Sequence, residues 1–246
     1  MSNDSVYERG WLPPQGVEVF RWALKTAYDI FASVEVRGAE NLPRPDGGGH
    51  ILAANHISYF DAPLVFIPLP RGSRLAALGT DKYRTNVFMG SILRMVGVVW
   101  VNREAPSPAT IKCAVQMLRE GKLLGLAPEG TRSQQTHALQ KAKTGAAYLA
   151  VMANVPVIPT AIAYTDRVSN DLRHLRRSRV SITFGKPLRF PVPDRRARDA
   201  KLEEYTDELM CHLAALLPPQ YRGVYADHPR LKELLAAPQS LEVKQL

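Results

Sequence analysis

Residues Ala53–Pro63 read AANHISYFDAP, and this stretch decides how the chain divides into elements. An apolar run, Ile51-Leu52-Ala53-Ala54, closes on Asn55 and His56, and Asp61 follows five residues after the histidine. A short apolar run bounded by turn residues reads as a buried strand. Pro63 marks a helix start near Ala62, because proline fits the first helical turn, where its missing N–H is not needed. Positions five apart on a regular helix point about 140° away from each other. His56 and Asp61 can therefore touch only if the residues between them form a turn. Strand, turn and helix would then set an imidazole beside a carboxyl. An imidazole with a pKa of about 6.5 can take a proton at neutral pH, and a carboxylate fixes its tautomer. The pair proves little by itself, since the chain has six histidines among its 246 residues and chance makes such spacings.

Outward from this stretch, apolar runs alternate with helical patterns. Strands are expected at Leu75–Ala77, Gly97–Val101, Leu123–Ala127, Val155–Tyr164 and Val180–Phe184, in addition to His50–Ala54. Pro156 and Pro159 suggest an edge position or an irregular start for Val155–Tyr164. Helical periodicity covers Val17–Val34, Thr80–Leu93, Pro108–Glu120, Thr144–Ala153 and Lys201–Leu216. The alternation predicts one α/β domain whose central sheet is largely parallel or mixed and flanked by helices, behind an N-terminal amphipathic helix. The expected divisions are a helical segment at 1–35, the domain at 36–217, and a tail at 218–246 that packs on the domain or is partly flexible. Loops after the strands should gather at one sheet edge, where such folds bind ligands.

Composition narrows the function classes. An apolar share of 46% is that of an ordinary globular protein. The polar, acid-bearing start MSNDSVYERG does not resemble a signal peptide, and no run approaches the roughly 20 apolar residues that span a bilayer. Cys113 and Cys211 have neither metal-ligand nor disulfide spacing and read as buried thiols of a reducing compartment. The net charge is +9, and between Thr165 and Lys201 eleven Lys or Arg face four acids. Such a surplus suits anionic partners, lipid headgroups among them, and equally a plain solvated surface.

Helix Val17–Val34 sorts into halves at 100° per residue. Val17, Val19, Phe20, Ala23, Leu24, Ala27, Tyr28, Ile30 and Phe31 form a broad apolar half; Glu18, Arg21, Lys25, Thr26, Asp29 and Ser33 fill the other, with Trp22 among them. The apolar half suits a membrane interface or packing on the core.

Two further strand ends carry candidate chemistry. Arg103 follows Gly97–Val101, and Pro128-Glu129-Gly130-Thr131-Arg132-Ser133 follows Leu123–Ala127. A guanidinium can hold phosphate oxygens bidentately, and a glycine turn can add N–H donors. Glu129 only accepts, so beside a phosphate it would bind a hydroxyl or steady an arginine. The same hexapeptide also reads as a polar turn with an internal Glu–Arg pair. There is no G-x-S-x-G elbow, Walker loop, strand-borne G-x-G-x-x-G or His/Cys metal spacing. A base without a protein nucleophile suggests that the substrate brings its own hydroxyl.

NHISYFD matches the N-H-x4-D motif of the glycerolipid acyltransferases, the family that includes 1-acylglycerol-3-phosphate acyltransferase. GVVWVNR resembles that family's second block, PEGTRS its third and VPVIP its fourth, in family order, and Lys143-Thr-Gly145 fits the lysine and glycine before its alanine-rich helix. The similarity covers roughly Val36–Pro187. Ala127 departs from the larger apolar residue that often precedes PEGTR, and the long transmembrane segments of some relatives are missing. The resemblance implies that His56 deprotonates the acceptor hydroxyl and that Asp61 orients the imidazole. Arg103, Arg132 and Lys82 would hold the phosphate, while Asn55, Glu129, Gly130, Thr131 and Ser133 would complete the acceptor site. It implies no metal and no bound cofactor, with acyl-CoA or acyl-carrier protein as donor and a lysophospholipid as acceptor. The expected location is cytoplasmic, peripheral on the anionic inner face of the cell membrane, with no nucleic-acid partner. Two alternatives stay open: the same O-acyl transfer to another lysophospholipid, glycerol-3-phosphate or an acylated amino-acid lipid, and a non-catalytic basic module binding membranes or nucleic acid.

Overall fold

The computed structural model describes residues 6–102, 105–133, 135–236 and 243–245. A short strand β1 (Tyr7–Glu8) precedes helix α1 (Pro14–Phe31), which begins on a proline and stops where the backbone extends at Ala32. Strand β2 (Ala32–Arg37) follows without a break, then β3 (His50–Ala54), α2 (Asp61–Phe66) and β4 (Leu75–Thr80). Next come α3 (Val87–Val96), β5 (Val98–Val101) and α4 (Pro108–Arg119), the last capped by the Ser107 hydroxyl, which accepts from the Thr110 N–H. The remaining elements are β6 (Leu123–Leu126), α5 (Gly145–Ala153), β7 (Val157–Ala163), α6 (Val168–Arg173), β8 (Ser178–Phe184), α7 (Arg198–Leu216), α8 (Pro229–Ala236) and β9 (Val243–Gln245).

The nine described strands form one mixed sheet in the order β1-β5-β4-β6-β3-β7-β8-β2-β9. Strands β5, β4, β6, β3 and β7 run parallel, whereas β8 runs antiparallel to β7 and carries β2 parallel beside it. This reversal puts the starts of β2 and β8 at the edge where the parallel strands end. Burying both faces explains the apolar runs: Leu52, Ile158 and Ile182 pack towards α1 and α2, while Ile51, Leu124 and Val157 pack towards α4 and α5. Residues 218–236 pack on α7, with Tyr221, Tyr225 and Leu231 buried against Met210, Leu213 and Leu217.

Several elements differ from the sequence expectation. The helix expected to reach Val34 ends at Phe31, and Ala32–Val34 belong to β2, so residue 36 lies in mid-strand. Thr80–Leu93 is no single helix: β4 continues to Thr80, a 3-10 turn covers Asp81–Tyr83, and α3 starts at Val87. Strand β7 is internal, between β3 and β8. It accommodates Pro159 because β8 has ended there, and the Pro159 carbonyl accepts from the Gly185 N–H at 2.8 Å. Cys211 is buried as expected, but Cys113 is only half-buried. The predicted apolar half of α1 is split. Val17, Phe20, Leu24, Tyr28 and Phe31 pack on the core, while Val19, Trp22, Ala23, Thr26, Ala27 and Ile30 are exposed, and none of these six is charged.

The register of β2 against β8 depends on Gly38, which ends β2 at φ 68°. A Cβ there would lie 2.0 Å from the Phe184 carbonyl oxygen, the same oxygen that accepts from Asn41 Nδ2 at 2.9 Å. Gly38→Ala is expected to destabilise the fold by about 2 kcal/mol or more in urea unfolding; an unchanged midpoint and slope would contradict this.

Candidate active site

Strand β3 is buried at Ile51, Leu52 and Ala53 and delivers Asn55 and His56 at the sheet edge. Asn55 is itself buried: its Nδ2 donates to the Ile162 carbonyl at 2.9 Å, and its Oδ1 accepts from the Ile162 N–H at 2.7 Å. The side chain thus pairs with the backbone of β7 just beyond the β3–β7 ladder and fixes where the turn begins. Asp61 opens α2, and its Oδ2 accepts from His56 Nδ1, the Ile57 N–H and the Ser58 N–H, each at 2.7 Å. Its Oδ1 accepts from the Thr165 hydroxyl at 2.5 Å, a residue just past the end of β7. With only acceptors on the carboxylate, Nδ1 of the imidazole carries the proton in this contact, leaving Nε2 with a free lone pair in the neutral ring. Helix α1 supports the turn from outside, as Tyr28 donates to the Phe60 carbonyl and the Phe31 and Phe60 rings meet edge-on at 5.9 Å.

The loop after β6 closes on the same turn, because the Ser133 N–H donates to the His56 carbonyl at 2.8 Å. Glu129 lies inside this loop, 4% exposed, with Oε2 accepting from the Ser133 hydroxyl at 2.8 Å and the Gln140 N–H at 2.9 Å. Burial pushes its carboxyl above the ordinary range, against the opposing pull of those hydrogen bonds. Gly130 takes φ 69° and lets the chain turn beside the Lys143 side chain. Arg132 lies over the Tyr59 ring, its Cζ 3.5 Å from the centroid, and draws that exposed phenol below its usual pKa through a hydrogen bond and its charge. Among the described residues, neither Nε nor Nη1 of Arg132 has a hydrogen-bond partner, although both are buried. A guanidinium with unused buried donors is ready for an anion.

A cleft of about 590 Å³ extends from His56, Asp61, Gly130 and Lys143 across the ends of β4 and β6. Its walls are mainly apolar, with Val65 of α2, Leu75 and Ala77 of β4, Ile111 and Ala114 of α4 and Leu149 of α5. One end of this space is polar and basic, and the rest suits a hydrocarbon chain.

The cleft brings His56, Asp61 and Gly130 together, and Arg132 lies beside it over Tyr59 without lining it. Asn55 also lines the cleft, whereas Glu129 and Ser133 do not. All three are buried: Asn55 pairs with Ile162, and Glu129 Oε2 accepts from Ser133 and Gln140, while its buried Oε1 has no hydrogen-bond partner among the described residues. Thr131 is exposed beside Arg132. Lys82 is exposed on the turn after β4, its ammonium 5.0 Å from the Tyr83 ring centroid, and is not part of the cleft wall. Arg103 lies outside the described residues. Thr165, Tyr28 and Tyr59 were not singled out by the sequence. Tyr59 sits inside the NHISYFD stretch, whereas Thr165 and Tyr28 give no local signal.

The acyltransferase family model matches residues 33–163, from β2 to the end of β7. The chain belongs to the acyltransferase family. It is 28% identical over 167 residues to the 1-acyl-sn-glycerol-3-phosphate acyltransferase of Bacillus subtilis, covering 68% of this chain and 79% of that protein. It is 29% identical over 136 residues to the enzyme of the same name from Borreliella burgdorferi, 53% of this chain and 51% of the relative. The chain therefore spans about four-fifths of one relative and about half of the other. The solved 1-acyl-sn-glycerophosphate (LPA) acyltransferase PlsC of Thermotoga maritima shares the fold, with a TM-score of 0.60 at 23% identity over 91% of this chain and 81% of that one. In this acyltransferase the matched segment holds every residue of the constellation except Tyr28 and Thr165.

The contact between Thr165 and Asp61 makes a checkable case of a positioning residue. Thr165→Val is expected to lower kcat for acyl transfer by about tenfold or more with little change in KM, and Thr165→Ser to restore it. Wild-type kcat in the valine variant would contradict the assignment.

Proposed function

We propose that the enzyme transfers a fatty acyl group from acyl-CoA or acyl-carrier protein to the free hydroxyl of 1-acylglycerol-3-phosphate, giving phosphatidate. The observation that carries this reading is the 2.7 Å contact of His56 Nδ1 with Asp61 at the mouth of an apolar cleft. Nε2 of His56 takes the proton of the acceptor hydroxyl as its oxygen attacks the thioester carbonyl. The carbon–sulfur bond then breaks, and the thiolate leaves with the proton from the imidazolium. No covalent acyl-enzyme forms. Asp61 stabilises the charge that develops on the ring, and Arg132, with Lys143 nearby, holds the acceptor phosphate. The acyl chain occupies the apolar length of the cleft. The names of the relatives support the acceptor and the product.

We further propose a peripheral place on the anionic inner face of the cell membrane. No helix among the described residues is long and apolar enough to cross a bilayer. The uncharged exposed face of α1, with Trp22 67% and Ile30 76% exposed, supports contact with a lipid surface. Its charged neighbours are paired at the flanks, Arg21 with Glu18 and Lys25 with Asp29.

His56→Ala is expected to lower thiol release by about 100- to 10,000-fold at an unchanged unfolding midpoint; near-wild-type turnover would remove the general-base role. Arg132→Ala should raise the acceptor KM while sparing the donor KM, so equal effects on both would contradict the phosphate contact. Wild-type protein should sediment with anionic vesicles at low salt, and protein left in the supernatant would overturn the peripheral location.

A further inference from the structure

Helix α6 ends in a motif that normally takes glycine. The Arg176 N–H donates to the Asp171 carbonyl at 2.8 Å, and the Leu175 N–H to the Leu172 carbonyl at 3.1 Å. These are the two bonds of a Schellman cap, and they set Leu175 at the position where the chain turns left-handed. Its φ is 54°, a conformation that L side chains avoid. A leucine here has no packing that would justify the strain, since it is 97% exposed. Leu172, one turn earlier, is also exposed.

The exposed charges next to this leucine in the chain are basic. Arg173, Arg176, Arg177 and Arg179 are all exposed, as is His174. The nearest acid in sequence, Asp171 of α6, is half-buried and accepts from the Ser178 hydroxyl at 2.6 Å. An apolar tip with a cationic collar complements a bilayer with anionic headgroups. A nucleic-acid surface would use the arginines but gain nothing from an extended leucine.

The position of the loop is also informative. Because β8 runs against β7, the loop leaves the sheet at the edge where His56 and Thr165 emerge. Arg177 ties it to the end of α1, with Nε and Nη2 donating to the Ala32 carbonyl at 3.3 and 3.2 Å. Both the loop tip at Leu175 and Ile30 near the end of α1 are exposed.

We propose that the α6–β8 loop inserts Leu175 into an anionic bilayer, a contact separate from that of α1, which brings the active-site edge to the lipid surface. The proposal takes from the preceding reading only that the acceptor resides in the membrane.

The test uses the full chain and vesicles of phosphatidylcholine with and without phosphatidylglycerol. Leu175→Gly removes the side chain and suits the left-handed backbone, so its unfolding midpoint should equal or exceed that of wild type. Its affinity for vesicles with phosphatidylglycerol should fall roughly tenfold or more, as expected for losing one inserted leucine. Thiol release with a water-soluble, short-chain acceptor should be unchanged. Arg173→Gln with Arg176→Gln should remove much of the gain in binding that phosphatidylglycerol gives. Wild-type vesicle affinity in Leu175→Gly overturns insertion. So does binding that is lost with the arginines but indifferent to Leu175, since that marks an electrostatic surface only. Absence of thiol release from wild type would sink the enzymatic reading, while the vesicle comparison would still decide the loop.

Discussion

The carboxylate of Asp61 is 2% exposed, and a charge so far from water is costly unless its oxygens are satisfied. Four donors meet it: two backbone N–H groups of the turn, the His56 ring and the Thr165 hydroxyl. Hydrogen bonds to a charged group contribute about 1.5–3 kcal/mol each, so the turn holds its shape around the aspartate. The same bonds fix the imidazole. The arrangement that stabilises the loop is therefore also the one that sets the histidine tautomer.

The sheet carries the rest of this arrangement to the same place. β3 brings His56, β6 brings the Gly130–Arg132 turn, and β7 brings Thr165, because these three neighbours run parallel. The Ser133 N–H to His56 carbonyl bond and the Asn55 clamp on Ile162 then set the three ends in register. On the outer side, α1 presses Tyr28 and Phe31 onto Phe60. The N-terminal helical segment, which the sequence left open between a membrane interface and packing on the core, thus braces the turn from outside with one face and leaves the other exposed.

How much of this was legible follows from where each contact lies along the chain. His56 and Asp61 are five apart, so strand, turn and helix signals in one short stretch were enough to place them together. The apolar alternation likewise revealed most of the strands. β2 was hidden because Phe31 and Ala32 pass from helix to strand without a proline or glycine to separate the periods. β7 was expected at an edge or with an irregular start because a proline removes a ladder donor, and nothing local tells that β8 ends opposite Pro159. The helical wheel put Trp22 among the charges, since the wheel cannot tell which face meets the core. Thr165 was beyond sequence reasoning: it lies 104 residues from Asp61, and only the β3–β7 pairing unites them. Glu129 and Ser133 were legible as motif residues but not as buried ones, because their partners depend on how the loop closes on Gln140 and His56.

The central claim is that His56, held by Asp61, activates the acceptor hydroxyl itself, with no acyl group resting on the protein. Rapid-quench thiol release at enzyme concentrations comparable to acyl-CoA, without acceptor, tests this most directly when read beside the intact-protein mass. The account predicts no stoichiometric burst and no acylated mass until lysophosphatidate is added. A burst of one thiol per enzyme with a matching gain in mass would contradict it.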